Sequence, residues 1–462
     1  MRVLGIVGGV DLPFETKYPD DYIMTHDAAA VLVENGEVIA AVEEERLSRI
    51  KHDHKAPVMA IKYCLESTGI KLKDVDAIAV YGTENMMDDF FKRFLLTYPK
   101  RKDILPIREE IHRIVKASLG EDFDDSKLSF VPHHLAHAIS AFAMSGFENS
   151  LILTIDGEGD KTSGLVALAD GNEYDIIQTF SNDISLGHFY LNVISFLGYG
   201  FCDEYKVMGL APYGDPKKFR RVFKRMYTLL DNGAYIINRD FIPFLFNYLT
   251  PRRKGDPFLQ IHKDIASSLQ EALEEIVLHI LKYHQTSTKQ SKLCLAGGVA
   301  HNCSLNGKIL YSNLFEDIFV QPAAHDAGCA LGAALYTYNK NNPVNANKKL
   351  THVFWGNNAD NNESIFKELD MWKDFISFEK KADITKEAAA LLSDGAVIGW
   401  VQGRSEFGPR ALGNRSIIAD PRPLENKDVI NSMVKKRESY RPFAPSILEE
   451  YLAEYYYVPS HV

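Results

Sequence analysis

The sequence predicts an α/β chain in which one strand-rich unit is written twice and a smaller α/β segment follows. Three observations carry this. A buried-strand run, RVLGIVGG, leads into AAAVLVENGEVIAAVEEE, two apolar runs joined by the hairpin dipeptide Asn35-Gly36. The same order returns at NSLILTIDGEGD, a strand ending in Asp and Gly, followed by SGLVALADGNEYDIIQTF, a hairpin pattern around Asp170-Gly171. After NKNNPVNANKKL, residues 339–350, whose Asn, Lys and Pro content marks a linker, the patterning restarts.

Between the two copies, APVMAIKYCLESTGI has apolar residues at helical spacing with Gly69 as a stop, and VDAIAVYG reads as a further strand. Strand, glycine-rich turn, hairpin and helices, occurring twice, is the layout of the duplicated actin-like ATPase fold, which holds nucleotide and substrate in the cleft between its halves. That domain is expected over residues 1–345 and a second over 351–462, where LLSDGAVIGWVQGR reads as a helix end, a turn and a buried strand. The second stretch is about 110 residues, the small end of the domain range.

With 462 residues, 46% hydrophobic and 25% charged, the chain buries a sizeable core and exceeds one ordinary domain. A formal charge of -10 argues against a general nucleic-acid or membrane-surface binder, because either role needs a basic excess. The expected partner is a small molecule. Five widely spaced cysteines, Cys64, Cys202, Cys294, Cys303 and Cys329, form no CxxC pair, so neither a disulfide framework nor a thiolate zinc site is indicated and a reducing cytoplasm is expected. The apolar N-terminal run is cut off by an Asp with no cleavage-like tail, so it reads as a strand rather than a signal. No apolar run reaches the roughly 18 residues of a membrane span.

VPHHLAHAISAF carries His133 and His137 four residues apart. At about 100° per residue they fall on one helical face, opposite Leu135, Ile139 and Phe142, so the imidazoles are expected to point away from the core. Such a pair reaches one cation but needs further ligands, and without them it is a solvated helix face. Asp156 in LTIDGEGD and Asp326 in PAAHDAG, each followed by glycine, are candidate oxygen ligands, Asp326 being equally a candidate helix N-cap. Two histidines with two aspartates suit Fe(II), Mn(II) or Zn(II).

Two stretches have the character of anion loops. CLAGGVAHNCSLNGKI sets Gly297-Gly298 between a short strand and an expected helix, where backbone N–H groups cradle phosphate; a plain strand-to-helix turn is the alternative. VQGRSEFGPRALGNRSIIADPR interleaves Arg404, Arg410, Arg415 and Arg422 with glycines, and VKKRESYRPFAP adds Lys435, Lys436, Arg437 and Arg441. In an acidic chain this concentration points to a bound polyanion, with a solvated basic surface as the alternative.

At these residues the sequence resembles the O-carbamoyltransferase family of NodU/CmcH type, which carbamoylates hydroxyls of nodulation factors and of several antibiotics. The matching stretches are HDAAAVLVENGEVIAAVEEERLSR, HHLAHA, LTIDGEGD, EYKVMGLAPYG, LAGGVAHNCSLNGK, PAAHDAG, GRSEFGPRALGNRSIIADPR and RPFAPSIL, in family order over nearly the whole chain. The resemblance implies a partial YrdC-like domain after the linker that makes carbamoyl-adenylate from carbamoyl phosphate and ATP, with Mg as the nucleotide's ion. It also implies an actin-like domain that moves the carbamoyl group to a hydroxyl-bearing small molecule. On this resemblance His133, His137, Asp156 and Asp326 are the ligands of Fe(II) or another divalent transition metal. Arg410, Arg415 and Lys435 contact carbamoyl phosphate and nucleotide phosphates, and His26 of HDAAA lies near the acceptor hydroxyl. Gly297, Gly298 and Asn302 border the nucleotide, and Glu204 and Lys206 belong to the cleft.

Two departures bear on that reading. Family members continue past RPFAPSIL into an NTSFN-like motif that, with an upstream Arg, helps hold carbamoyl phosphate, and neither is found here. The expectation is therefore a fragment, or an incomplete second domain that makes the adenylate poorly. His301 stands where the family more often has an apolar residue. The runner-up, a tRNA threonylcarbamoyl transferase, lacks the GPRALGNR segment; hydrogenase-maturation carbamoyltransferases carry acylphosphatase and cysteine-rich modules absent here; a non-catalytic nucleotide-binding relative is the third reading. The acceptor, set by loops such as 85–125 and 215–260, stays open, as do the natural metal and the oligomeric state, a homodimer being one option.

Overall fold

The computed structural model describes every residue except 17–24, 102–103, 343–346, 360 and 460–462. It divides into two compact units, Met1–Thr351 and His352–Val458. The central part of the expected linker, residues 343–346, lies outside the described residues.

Unit 1 begins with β1 (Arg2–Val7), β2 (Ala29–Glu34) and β3 (Glu37–Glu43), then α1 (Glu44–Ser48), α2 (Val58–Glu66), β4 (Ala77–Tyr81), α3 (Glu84–Thr97), α4 (Ile107–Leu119), β5 (Leu128–Val131) and α5 (His133–Ser145). Asn35 and Gly36 both take positive φ, 51° and 81°, the backbone that a two-residue hairpin matched to strand twist requires. The second copy runs β6 (Asn149–Gly159), β7 (Thr162–Asp170), β8 (Glu173–Ser181), α6 (Leu186–Ile194), α7 (Glu204–Leu210) and α8 (Arg220–Phe223). A small hairpin follows, β9 (Tyr227–Leu229) and β10 (Tyr235–Ile237), then α9 (Gln260–Thr288), β11 (Lys292–Ala296), α10 (Cys303–Tyr311), β12 (Asp317–Val320) and α11 (Ala327–Asn341).

The two sheets repeat one topology. The first has the order β3-β2-β1-β4-β5 and the second β8-β7-β6-β11-β12, each an antiparallel meander continued by two parallel strands. That duplicated order is the actin-like ATPase fold expected from the sequence. The helix leaving the last strand of each copy, α5 or α11, packs against its counterpart: α11 lies on β1, β2 and β4, and α5 on β6, β7 and β11. Small residues make this approach. A Cβ on Gly332 would stand 1.8 Å from the Ala136 carbonyl oxygen, so only glycine lets the helices close there. All of α5 except Leu135 is buried as a result.

Unit 2 contains β13 (Phe354–Asn358), α12 (Asn362–Met371), α13 (Ile384–Ser393), β14 (Ile398–Val401), β15 (Arg404–Glu406) and β16 (Arg415–Ile418). Strands β13 and β15 pair, as do β14 and β16, both antiparallel. Its small apolar centre includes Val353, Trp355, Phe407 and Ile430.

Candidate metal centre and cleft

The duplication brings the donors together. His133 and His137 occupy the first two turns of α5, Asp326 directly precedes α11, and Asp156 lies in β6. His137 Nε2 stands 3.0 Å from Asp156 Oδ2 and 3.6 Å from Asp326 Oδ1; His133 Nε2 stands 3.8 and 3.9 Å from the same oxygens. The sequence places these imidazoles away from the core, and the structure corrects this: both are buried, and Leu135 is the half-exposed residue. The helical wheel presumes one solvent face, whereas α5 is covered by α11 and by the second sheet. Asp326 does not cap α11; its Oδ2 accepts a hydrogen bond from Thr25 Oγ1 at 3.3 Å.

Among the described residues, His133 Nε2, both ring nitrogens of His137 and Asp156 Oδ2 are buried and, apart from the 3.0 Å approach of His137 to Asp156, have no hydrogen-bond partner. Carboxylate oxygens and the lone pairs of neutral imidazoles are all acceptors, so the cluster requires a proton or a cation at its centre. Burial disfavours charge on His137, yet the Cys329 thiol, Asp156 and Asp326 hold its pKa well above the imidazole range. Against the same burial, His133 and His137 hold Asp156 well below the carboxylate range. A divalent transition metal satisfies these atoms, and the donor set fits one. Cys329, to which the sequence assigns no role, belongs to the same group: its Sγ and ligand atoms of His133, His137 and Asp326 all lie within 4.8 Å of one another.

His133, Asp156 and Asp326 also line a cavity of about 700 Å³. Met86, Met87 and Phe90 of α3 give it an apolar wall, and His26, Glu204 and Gly298 bring polar groups. His26 Nδ1 is 2.5 Å from Asp27 Oδ2, and the other oxygen of Asp27 is 2.7 Å from His52 Nδ1. Asp27 and His52 both carry positive φ, 58° and 52°, uncommon for residues with a side chain. Although burial lowers it, Asp326 and Asp27 push His26 up to about 10. Asp27, against its own burial, is held far below the carboxylate range by the two histidines.

The remaining candidates divide. Glu204 faces the cavity and burial raises its pKa, whereas Lys206 is not among the lining residues: its ammonium pairs with Asp203 at 2.5 Å and lies 5.4 Å from the Tyr199 ring centre. Gly297, at φ 88°, lets the chain turn so close to β6 that a Cβ would stand 2.3 Å from the Ile155 oxygen. The Gly297-Gly298 turn opens a 3-10 turn over Gly298–His301, and the α-helix starts only at Cys303. Asn302 lines the cavity but its amide is engaged: Oδ1 accepts from Leu305 N and Gln270 Nε2, each at 3.0 Å, and Nδ2 donates to Gln270 Oε1 at 2.9 Å. The N-cap signal of an Asn before a helix was there to be read. His301 Nε2 accepts the His325 N–H at 3.2 Å.

In unit 2 the arginine loop is held by its own backbone and side-chain contacts. Arg415 donates to the carbonyls of Gln402, Asn414, Asn357 and Gly403 at 2.7 to 3.1 Å, tying strand ends together. Glu406 accepts the N–H groups of Leu412, Asn414 and Arg415, so the loop wraps its own carboxylate. Arg422 pairs with Asp420, while Arg410 and Lys435 lie on the exposed surface of the unit.

The family model for the carbamoyltransferase N-terminus matches residues 22–335, and that for the carbamoyltransferase C-terminus residues 389–461. Nodulation protein NolNO of Sinorhizobium fredii is 53% identical over all of this chain and 68% of its own length. Nodulation protein NolO of Bradyrhizobium diazoefficiens is 57% identical over 71% of this chain and 60% of its own. Nodulation protein U of Sinorhizobium fredii is 25% identical over 92% of this chain and 79% of its own. The chain thus spans about two thirds of the length of the first two relatives, 68% and 60%. Among solved structures, component A of the Acidaminococcus fermentans (R)-2-hydroxyglutaryl-CoA dehydratase aligns at TM-score 0.41 and 14% identity over 74% of this chain and 98% of its own, too distant to argue from. Two domain models in order, and a relative 53% identical along the whole chain, establish that it belongs to the carbamoyltransferase family, whose members are transferases.

Proposed function

We propose that this chain acts as an O-carbamoyltransferase, moving a carbamoyl group from carbamoyl-adenylate to a hydroxyl of a small-molecule acceptor in the unit 1 cavity. Carbamoyl phosphate and ATP form that adenylate, with release of phosphate and pyrophosphate, and unit 2, read as YrdC-like, is its proposed place of synthesis. The observation that carries the reading is the meeting of His133, His137, Asp156 and Asp326 at one centre, three of which, His133, Asp156 and Asp326, line the cavity that also holds His26. A divalent metal held there, Fe(II) among the candidates, supplies Lewis-acid stabilisation of charge on oxygen.

The chain's own residues do the rest. Asp27 fixes the His26 ring through Nδ1 and leaves Nε2 for a ligand. As the acceptor oxygen bonds to the carbamoyl carbon and the bond to the AMP phosphate oxygen breaks, the neutral form of His26, which gains population once a cation offsets the charge of Asp326, takes the hydroxyl proton at Nε2. The apolar wall of α3 excludes water from a reactive donor. Because the relatives are named nodulation proteins, hydroxyl-bearing nodulation signals are the first acceptors to assay.

The test separates the steps. Supplied carbamoyl-adenylate and an acceptor should give carbamoylated product with the native chain and none with His137→Ala. Pyrophosphate release from carbamoyl phosphate and ATP should instead be lost in Arg410→Ala. Unchanged transfer by a folded His137→Ala protein would falsify the assignment of the centre.

A further inference from the structure

We infer that Cys329 is a thiolate ligand of the metal centre, giving it a sulfur donor beside its two imidazoles and two carboxylates. This rests on the metal reading above and goes beyond the His/Asp set. Cys329 follows Asp326 by three residues at the start of α11, so the two side chains share one helical face. Its Sγ and ligand atoms of His133, His137 and Asp326 lie mutually within 4.8 Å. Two donors on one ion, with bonds of about 2.0–2.3 Å, stand no more than about 4.6 Å apart. The His137 to Asp326 separation is already 3.6 Å and the His133 to Asp326 separation 3.9 Å, so small side-chain movements close the shell.

A second observation points to the same ligand independently of the cysteine. His137 is fully buried, its Nε2 meets the Asp156 carboxylate at 3.0 Å, and its Nδ1 and the His133 Nε2 have no hydrogen-bond partner. One ligand atom of each of these histidines lies within 4.8 Å of the Cys329 sulfur. The thiol lies 3.9 Å from the His133 carbonyl oxygen, interacts with the His137 ring and forms no disulfide. The bland reading makes Cys329 a small apolar filler between α5 and α11, as Gly332 is one turn later. Its neighbours argue against it, because ligand atoms of two imidazoles and a carboxylate lie within 4.8 Å of this sulfur. On ligation the thiol proton leaves to solvent and the sulfur bonds the metal as thiolate. A soft donor biases the centre toward Zn(II), Co(II) or Fe(II) and away from Mg(II).

Cobalt(II) provides the probe. The full chain, stripped and loaded with one Co(II), should show visible ligand-field bands together with a near-ultraviolet sulfur-to-cobalt charge-transfer band. Cys329→Ser should keep the ligand-field bands and lose the charge-transfer band, while Cys202→Ser and Cys303→Ser keep both. A loaded native chain without the charge-transfer band, or a Cys329→Ser chain that retains it, overturns the inference and leaves the His/Asp centre standing. Failure to bind Co(II), Zn(II) or Fe(II) at all overturns the inference together with the metal reading. If Cys329→Ser does not fold, X-ray absorption on the Zn(II)-loaded Cys202→Ser/Cys303→Ser chain answers the same question, a metal–sulfur distance being required and its absence excluding the ligand.

Discussion

Asp27 shows how much a single residue can organise. Its two oxygens hold His26 and His52, and its own backbone sits at φ 58°, a conformation that the surrounding chain has to enforce. Replacing it with Asn removes the negative charge that helps raise His26, so His26 becomes neutral at lower pH. It also offers a donor where the ring needs an acceptor. Asp27→Asn should therefore move the acidic limb of the transfer pH–rate profile to lower pH and reduce its plateau by about 10²–10⁴-fold, with little change in acceptor KM. A pH profile that keeps its position while the rate falls would assign Asp27 a purely structural role. The His133/His137 spacing was visible in the sequence because four residues are one helical turn. The Asp27–His52 contact was not, since it joins residues across a hairpin through two left-handed backbone positions that no pattern announces.

Among elements, hairpins were the most legible and helix faces the least. Asn35-Gly36 fixes its own turn by local sterics, so β2 and β3 could be placed from a dipeptide and the runs around it. The burial of α5 depends on α11, nearly two hundred residues later, and nothing within residues 133–145 announces that second partner. The charge of Arg415 is visible in the sequence, whereas the backbone carbonyls that its guanidinium binds are not. The junction of α1 with α2 yields a testable pH effect. Glu44 is buried and accepts the N–H groups of Met59 at 3.0 Å and Ala60 at 2.7 Å, but burial outweighs these bonds and raises its pKa to about 7. An acid with a raised folded pKa binds more protons folded than unfolded. Its contribution is therefore complete below the ordinary carboxylate pKa and is lost as pH rises through about 7. Denaturant titrations at pH 5 and pH 8 should show the native chain losing up to about 3 kcal/mol more than Glu44→Gln over that interval. Equal losses in the two proteins would show that Glu44 does not change protonation there.

For the whole molecule, duplication places the centre where neither half could build it alone. The first copy supplies His133 and His137 through α5, and the second supplies Asp156 through β6 and Asp326 before α11. The fold was legible because each copy announces itself locally; the joining of the copies depends on contacts such as Gly332 against Ala136 that appear only in three dimensions. A metal at this junction is a cross-link, stabilising unit 1 by RT ln(1 + [L]/Kd), about 2.7 kcal/mol at a hundredfold excess over Kd. The three tryptophans, Trp355, Trp372 and Trp400, all lie in unit 2, so their fluorescence does not follow this effect directly. Hydrogen exchange at the α5 and α11 amides reports it instead. Adding Zn(II) to the stripped native chain should slow exchange in both helices together, although each belongs to a different copy. Either His137→Ala or Asp326→Asn alone should abolish the whole metal-dependent increment, and the double variant should lose no more of it than either single one. Additive partial losses, or protection confined to α5, would mean that the ion binds one half without bridging to the other, and the centre would then have to be redrawn within a single copy.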